Sequence, residues 1–147
     1  MKKIFLVLVL SLISASFVIA QSDADRDAIK RTALNYAEGW YEGNADKMES
    51  ALHPHLAKRI VRTNDKGQSG LGQMSALELF QGVKHGGGKD TPKEKQQKDV
   101  TILDVFGNTS SVKVVASDWV DYLHIAKFNG RWVIVNVLWE MKPLPVK

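Results

Sequence analysis

The sequence contains no cysteine, and this absence excludes several kinds of protein. A chain without thiols has no disulfide framework, no cysteine nucleophile and no lipid-modified cysteine. Two motifs of hydrolases are absent as well, the Gly-x-Ser-x-Gly nucleophile elbow and the HExxH zinc motif. The sequence therefore gives no support to thiol catalysis, to a serine hydrolase or to a zinc protease of the HExxH type.

A long apolar run is also absent, although a short one lies near the N-terminus. Lys2 and Lys3 precede the apolar residues Ile4 to Ile13, and Val18-Ile19-Ala20 follows with a small residue before Gln21. This order is typical of a secretory signal peptide, and the run is shorter than the roughly 20 residues that span a bilayer. We predict cleavage after residue 20 and export, to the periplasm or outside of a bacterium.

The remaining residues, 21–147, have the length of one domain that can bury a core without disulfides or metals. Strong charge of one sign is missing too. Loss of Lys2 and Lys3 lowers the formal net charge of +4 by two. Such a weak positive field does not indicate nucleic-acid binding.

The first half of this domain has the periodicity of helices. Between residues 25 and 41 the apolar side chains recur at spacings of four, three and four, at Ile29, Ala33, Tyr36 and Trp40. Asn44 is a suitable N-cap for a second helix, and Ser75 with Glu78 forms a capping-box pattern for a third. Between these two helices we predict one strand, Leu56 to Thr63, and then a loop that reaches Gly72.

Residues 85–98 have no periodicity and include Gly86-Gly87-Gly88, which predicts a loop, either a solvated linker or a lid. It is not a phosphate loop, because Val83 and Asp90 stand where that motif needs a glycine and a Ser or Thr. The rest of the domain is predicted to be strand: Val100 to Phe106, Ser111 to Asp118, and a hairpin over residues 119–140. Helices first and a meandering antiparallel sheet last indicate an α+β fold, with three helices packed on a curved sheet.

The hairpin carries the strongest local signal, since Asn129-Gly130 is the preferred pair for a two-residue type I′ turn. With Phe128 opposite Arg131, an unbroken register places Asp121 opposite Leu138. One face then carries Trp119, Asp121, Asn136 and Glu140, and the other carries Tyr122, Val135, Val137 and Trp139. Neither face is plainly polar, so we expect both to be covered, one by the helices and one by a further layer or a second copy of the chain. Polar groups on the first face need partners or a cavity.

The order of these elements resembles the nuclear transport factor 2-like superfamily. More narrowly, the chain resembles its putative lumazine-binding branch, a relative of the SnoaL-like polyketide cyclases, from Ala24 to about Pro143. The resemblance depends on Tyr36…Gly39-Trp40…Gly43-Asn44, on Leu52-His53-Pro54 and on the final hairpin. It implies a cone-shaped barrel with a cavity between sheet and long helix, and frequent dimerisation through the outer sheet face, here Tyr122, Val135, Val137 and Trp139.

Enzymes of that superfamily place a carboxylate or histidine base in the cone, with a tyrosine or acid as proton donor. The residues that match are Asp121, His53 and Tyr36, which would suit an isomerase, dehydratase or cyclase. Each also has a structural interpretation: Asp121 as a carboxylate bound to the loop or to Arg131, His53 as a helix cap, and Tyr36 as a core residue. A base in contact with the cavity would favour catalysis.

No metal site or cofactor is predicted. His53-Pro54-His55 offers at most two ligands, and His85 and His124 have no ligand spacing to them. His124 is better explained as a packed or interface side chain.

Three hypotheses of function follow. The first is an exported homodimer that binds a small, largely apolar or aromatic ligand, without established catalysis, in a cavity lined by Tyr36, Trp40, His53, Trp119, Asp121, Trp132 and Asn136. The second is an enzyme that uses Asp121 or His53 as general base. The third is a non-catalytic assembly module that works through the outer sheet face.

Overall fold

The structure, a computed structural model, describes residues 23–143, so the predicted signal peptide lies outside the described residues. Helix α1 covers residues 23–42. It is followed by α2 (Ala45–Ala51), β1 (Leu52–Thr63), β2 (Ser69–Ser75), α3 (Ala76–Lys84), a 3-10 turn (Lys93–Lys95), β3 (Lys98–Phe106), β4 (Thr109–Ala116), β5 (Trp119–Phe128) and β6 (Arg131–Met141). No helix in residues 23–143 combines the length and the apolar composition needed to cross a membrane.

The six strands form one curved, unclosed sheet in the order β2-β1-β6-β5-β4-β3. All neighbouring strands are antiparallel except β1 and β6, which run parallel. Three helices and a curved sheet confirm the predicted α+β cone. The parallel pair is possible because one helix, a 3-10 turn and four strands separate β1 from β6 and provide the long crossover that parallel pairing needs.

Helix boundaries follow the predicted capping residues. The Asn44 side chain accepts a hydrogen bond from the Lys47 backbone N–H at 3.0 Å, and Ser75 and Glu78 form a reciprocal capping box. On α1 the predicted stripe faces the core, where Ile29 and Ala33 are fully buried. The core consists of this stripe and of buried residues from α2, α3 and β1, packed against the inward side chains of β4, β5 and β6.

The register of the hairpin was predicted correctly near its turn and wrongly beyond it. Asn129 and Gly130 both have positive φ, as a type I′ turn requires, and the pairs from Phe128–Arg131 to Ile125–Ile134 are as predicted. A β-bulge then leaves Val135 without a partner, and the next pair is His124–Asn136.

The bulge exchanges the two faces of the distal half of β6, because a slip of one residue turns every side chain over. Asn136 and Glu140, predicted to face inward, lie opposite His124 and Val120 on the outer face. Val137 and Trp139, predicted to face outward, lie opposite the buried Leu123 and Asp121. Leu138 takes an outer position and is 55% exposed.

The glycine loop after α3 packs against α1. Gly88 N–H donates to the carbonyl oxygen of Trp40 at 2.9 Å, and a Cβ on Gly87 would lie 2.7 Å from that same oxygen. A Cβ on Gly88 would collide with the Trp40 indole. Close approach of backbone to backbone is therefore the reason for glycine here, and the loop fixes the position of one tryptophan.

Candidate ligand-binding site

A cavity of about 230 Å³ lies between α1, α2, α3 and the inner face of the sheet. Its walls are mostly aromatic rings and methionine side chains: Tyr36, Trp40, Met48, Lys58, Met74, Leu79, Asp118, Trp119, Trp139 and Met141. The rings of Trp40 and Trp119 meet edge to face, with centroids 5.9 Å apart. A small concave space with apolar walls and a few polar groups has the usual composition of a ligand pocket.

A buried polar cluster stands at one wall of the cavity, around the carboxylate of Asp121, which is 0% exposed. Lys58 Nζ donates to Oδ1 at 2.7 Å. Oδ2 accepts hydrogen bonds from the Tyr36 hydroxyl at 3.2 Å and from Trp119 Nε1 at 2.6 Å. Lys58 Nζ also donates to the Tyr36 hydroxyl oxygen. We call Lys58, Asp121 and Tyr36 the buried triad.

Three separate elements supply the triad, each through its ordinary periodicity. Tyr36 belongs to the inward stripe of α1. Asp121 lies two positions before Leu123 on β5, so both side chains face inward. On β1 the buried residues Leu56, Lys58 and Ile60 stand at every second position, so a lysine occupies a place where the pattern calls for an apolar residue.

Burial and charge shift the ionisation of the triad. Burial raises the pKa of Tyr36 well above its ordinary value of 10.0, and the neighbouring charge of Asp121 and the hydrogen bond to it raise it further. Burial lowers the pKa of Lys58 from 10.5, while the charge and hydrogen bond of Asp121 act in the opposite direction. Desolvation therefore has a larger effect on the pKa of Lys58 than the ion pair with Asp121 has.

The ionisation of Tyr36 gives a direct test of this site. The difference in absorbance near 295 nm between the native protein and its Tyr36→Phe variant should stay flat through pH 10.0 and rise only at a higher pH. Because the pKa of Tyr36 is higher in the folded state, the unfolded state releases this proton first as the pH rises. The contribution of Tyr36 to the free energy of unfolding is therefore complete below pH 10.0 and is lost as the pH rises through the folded pKa. A difference titration with its midpoint at the ordinary value would show that Tyr36 is solvated.

Of the residues predicted to bind ligand, Tyr36, Trp40 and Trp119 line the cavity. Asp121 lies behind them, beyond Tyr36 and Lys58, and is absent from the cavity wall. Asn136 lies on the outer face of the sheet. The structure thus brings part of the predicted set together and separates the rest.

His53 and Trp132 lie near the hairpin turn, at the far end of β5 from Trp119. The His53 ring packs on Phe128, with centroids 4.6 Å apart. Trp132 is 4% exposed, and its Nε1 donates to Asp25 at 3.0 Å. Neither residue lines the cavity. The cavity lies at the Trp119 end of β5, and this strand of ten residues is about 30 Å long, so residues beside the hairpin turn are too far away.

Lys58 is the residue that sequence reasoning missed, although a signal was present. Leu56, Lys58 and Ile60 share one face of a predicted strand, and a charged residue in an apolar phase predicts a buried, paired charge. Its partner could not be found in the same way, because Asp121 is 63 positions away in the chain.

Within residues 23–143, no group of three or more His, Asp or Glu side chains is arranged to hold a metal ion. His53 Nδ1 instead accepts a hydrogen bond from the His55 backbone N–H at 3.1 Å. His85 Nδ1 lies 2.7 Å from the carbonyl oxygen of Gln81 at the end of α3.

Solved structures of NTF2-like proteins share the fold of this chain. An NTF2-like protein of unknown function from Methylobacillus flagellatus KT superposes with a TM-score of 0.65 at 20% identity, covering 82% of this chain and 94% of that one. One from Shewanella baltica OS155 gives 0.62 at 16%, covering 82% and 96%. A putative scytalone dehydratase from Novosphingobium aromaticivorans DSM 12444 gives 0.55 at 10%, covering 85% and 89%.

The family model described as "Putative lumazine-binding" matches residues 24–140. The chain therefore belongs to this family, and it has the NTF2-like fold. No curated protein matches the sequence. At these identities the likeness to solved structures shows the fold alone, and function has to be argued from the cavity.

Proposed function

We propose that the protein binds a small, largely apolar or aromatic molecule in the cavity described above. The observation that carries this proposal is a cavity of about 230 Å³ with aromatic and methionine walls and a single buried polar cluster. Apolar walls supply affinity, and a few fixed polar groups supply orientation. Lys58 and Tyr36 are the triad members that line the cavity, and both carry hydrogen-bond donors, so a ligand with a hydrogen-bond acceptor at one end fits best.

The geometry does not favour Asp121 as a general base that removes a proton directly from a ligand in the cavity. Both carboxylate oxygens already accept hydrogen bonds, three in total from Lys58, Tyr36 and Trp119. A base must reach the proton that it removes, within about 3 Å, and Asp121 is separated from the cavity by its own partners. His53 fails the same requirement because it lies at the other end of β5.

Binding of the neutral fluorophore N-phenyl-1-naphthylamine to the exported chain tests the proposal. Its emission should rise on saturable binding to the native protein. Met74→Trp fills the cavity from β2 and should weaken binding by at least about tenfold, a change of 1.4 kcal/mol. The matched control is Leu71→Trp on the same strand, at a side chain that is 63% exposed and lies outside the cavity, and it should bind as the parent does. Equal affinity in both variants would place the dye elsewhere and refute the proposal.

We also propose that the outer sheet face joins two copies of the chain. Val61, Tyr122 and Leu138 are each about half exposed and apolar on that face (55%, 48% and 55%), and Leu138 lies opposite Tyr122. An exposed apolar patch of this kind is typical of an interface. Sedimentation should give a dimer for the parent and a monomer for Leu138→Glu; a monomeric parent would refute it.

Export is proposed from residues 1–20 alone. The measured mass of the protein recovered from the periplasm or medium should correspond to a chain that begins at Gln21. Recovery of the full-length chain in the cytosol would contradict it.

A further inference from the structure

We propose that Lys58 is a nucleophilic amine that forms an imine with an aromatic aldehyde or ketone held in the cavity. The inference rests on the proposed ligand-binding function, because it uses the same cavity. It goes beyond that function in naming a chemical class of ligand and a covalent step.

The position of Lys58 differs from that of every other lysine in residues 23–143. It is 6% exposed and is the only one of these lysines that is buried. Its Nζ lies 4.7 Å from the ring centroid of Trp139 and 5.2 Å from that of Tyr36, and both rings line the cavity. An aromatic carbonyl compound between these rings would present its carbonyl carbon to the amine.

The triad contains the groups that imine formation needs. An amine attacks only when it is neutral, and the Asp121 carboxylate at 2.7 Å from Nζ is placed to take its proton. The Tyr36 hydroxyl contacts both Lys58 Nζ and Asp121, so it can pass that proton to the oxygen of the carbonyl group. Base, nucleophile and proton donor thus lie within one hydrogen-bonded set.

The step balances without an oxidant or reductant. Lys58 loses a proton to Asp121, and its lone pair forms a C–N bond while the carbonyl π pair moves to oxygen. The bound nitrogen then loses a second proton to Asp121, and the two protons pass through Tyr36 to that oxygen, which becomes first a hydroxyl group and then water; the water leaves as the nitrogen lone pair forms the C=N bond. The products are a protonated imine and one water molecule from an ammonium group and a carbonyl group. Apolar walls favour the loss of water.

The electrostatics support this assignment. Burial lowers the pKa of the Lys58 ammonium, so a larger fraction is neutral near pH 7 than for an exposed lysine. Lysines activated in apolar pockets are known nucleophiles in Schiff-base chemistry.

Trapping with 2-naphthaldehyde and sodium cyanoborohydride at pH 7 tests the proposal on the exported chain. Intact mass and peptide mapping should show one adduct, at Lys58, which forms at least about tenfold faster than at any other lysine. Lys58→Arg should abolish it, whereas the matched variant Lys113→Arg, on β4, should leave it unchanged. Tyr36→Phe keeps the ring and should slow adduct formation while the aldehyde still quenches tryptophan emission. Adducts spread evenly over exposed lysines would overturn the proposal.

Two further measurements separate this proposal from the one on which it rests. N-phenyl-1-naphthylamine should protect Lys58 from the aldehyde in the unaltered protein, so the result does not depend on the folding of a variant. Binding of the dye and of the aldehyde without an adduct at Lys58 would refute the imine and leave ligand binding intact. Failure of both molecules to bind would refute both proposals.

Discussion

Replacement of Asp121 by leucine is expected to lower the free energy of unfolding by about 3–5 kcal/mol, because it leaves a buried ammonium group without its counter-charge. Asp121 is 0% exposed and accepts from Lys58, Tyr36 and Trp119. Leucine has the same number and branching of side-chain heavy atoms as aspartate, so the substitution opens no cavity. Urea unfolding followed by tryptophan fluorescence and far-UV circular dichroism gives the measurement.

A double-mutant cycle provides the control. Lys58→Met combined with Asp121→Leu removes both charges, and the double variant should recover most of the stability that either single change loses, since an apolar pair of similar size replaces a buried ion pair at little cost. Asp99→Leu, at an exposed carboxylate on β3, should change stability by no more than about 0.5 kcal/mol. Additive losses at positions 58 and 121 would show that the two charges do not interact.

Replacement of Trp132 by alanine is expected to cost about 3–5 kcal/mol of stability without changing ligand affinity. The side chain is 4% exposed, and it joins α1 to the hairpin. Its Nε1 donates to Asp25, and its carbonyl oxygen accepts a hydrogen bond from the Thr32 hydroxyl at 2.9 Å. It lies outside the cavity, so denaturation should detect the change and dye binding to the folded fraction should not.

Trp132→Phe and Trp40→Ala complete that comparison. Phenylalanine retains an aromatic ring but loses the N–H and part of the ring system, so its cost should be smaller, about 1 kcal/mol for the lost hydrogen bond. Trp40→Ala removes a cavity wall and should weaken dye binding at a smaller cost in stability, because Trp40 is only partly buried. Weaker binding in Trp132→Ala than in Trp40→Ala would show that the ligand binds near the hairpin turn and would contradict this prediction.

The elements that local chemistry specifies were predictable. Asn44 and Ser75 cap α2 and α3 through bonds to residues three positions away, and Asn129-Gly130 turns the hairpin with φ values that few other pairs adopt. Each signal acts over a few residues, so each is visible in the sequence. Strand β2 lacked such a signal: Ser69–Ser75 includes Gly70 and Gly72 and owes its conformation to pairing with β1.

The bulge at Val135 shows why a predicted register can be locally right and still misplace a site. Nothing near the turn reveals it, since the first four pairs are regular. The bulge is determined further along the strand, where Val137 and Trp139 in the distal half of β6 pack inward. Because of this shift of one residue, Asn136 faces outward, away from the predicted cavity, and Trp139 lines the cavity instead.

The amino-acid sequence by itself determined the fold class, the starts of α2 and α3, the hairpin turn and the inward position of Tyr36 and Asp121, because these depend on periodicity and on contacts between near neighbours. Only the tertiary structure decided the parallel pairing of β1 with β6, the outward position of Asn136 and the presence of Lys58 beside Asp121. The physical reason is separation along the chain. Lys58, Tyr36 and Asp121 lie on three elements, and their pairwise separations along the chain are 22, 63 and 85 positions. An ion pair between residues so far apart in the sequence forms only when the sheet has packed against the helix.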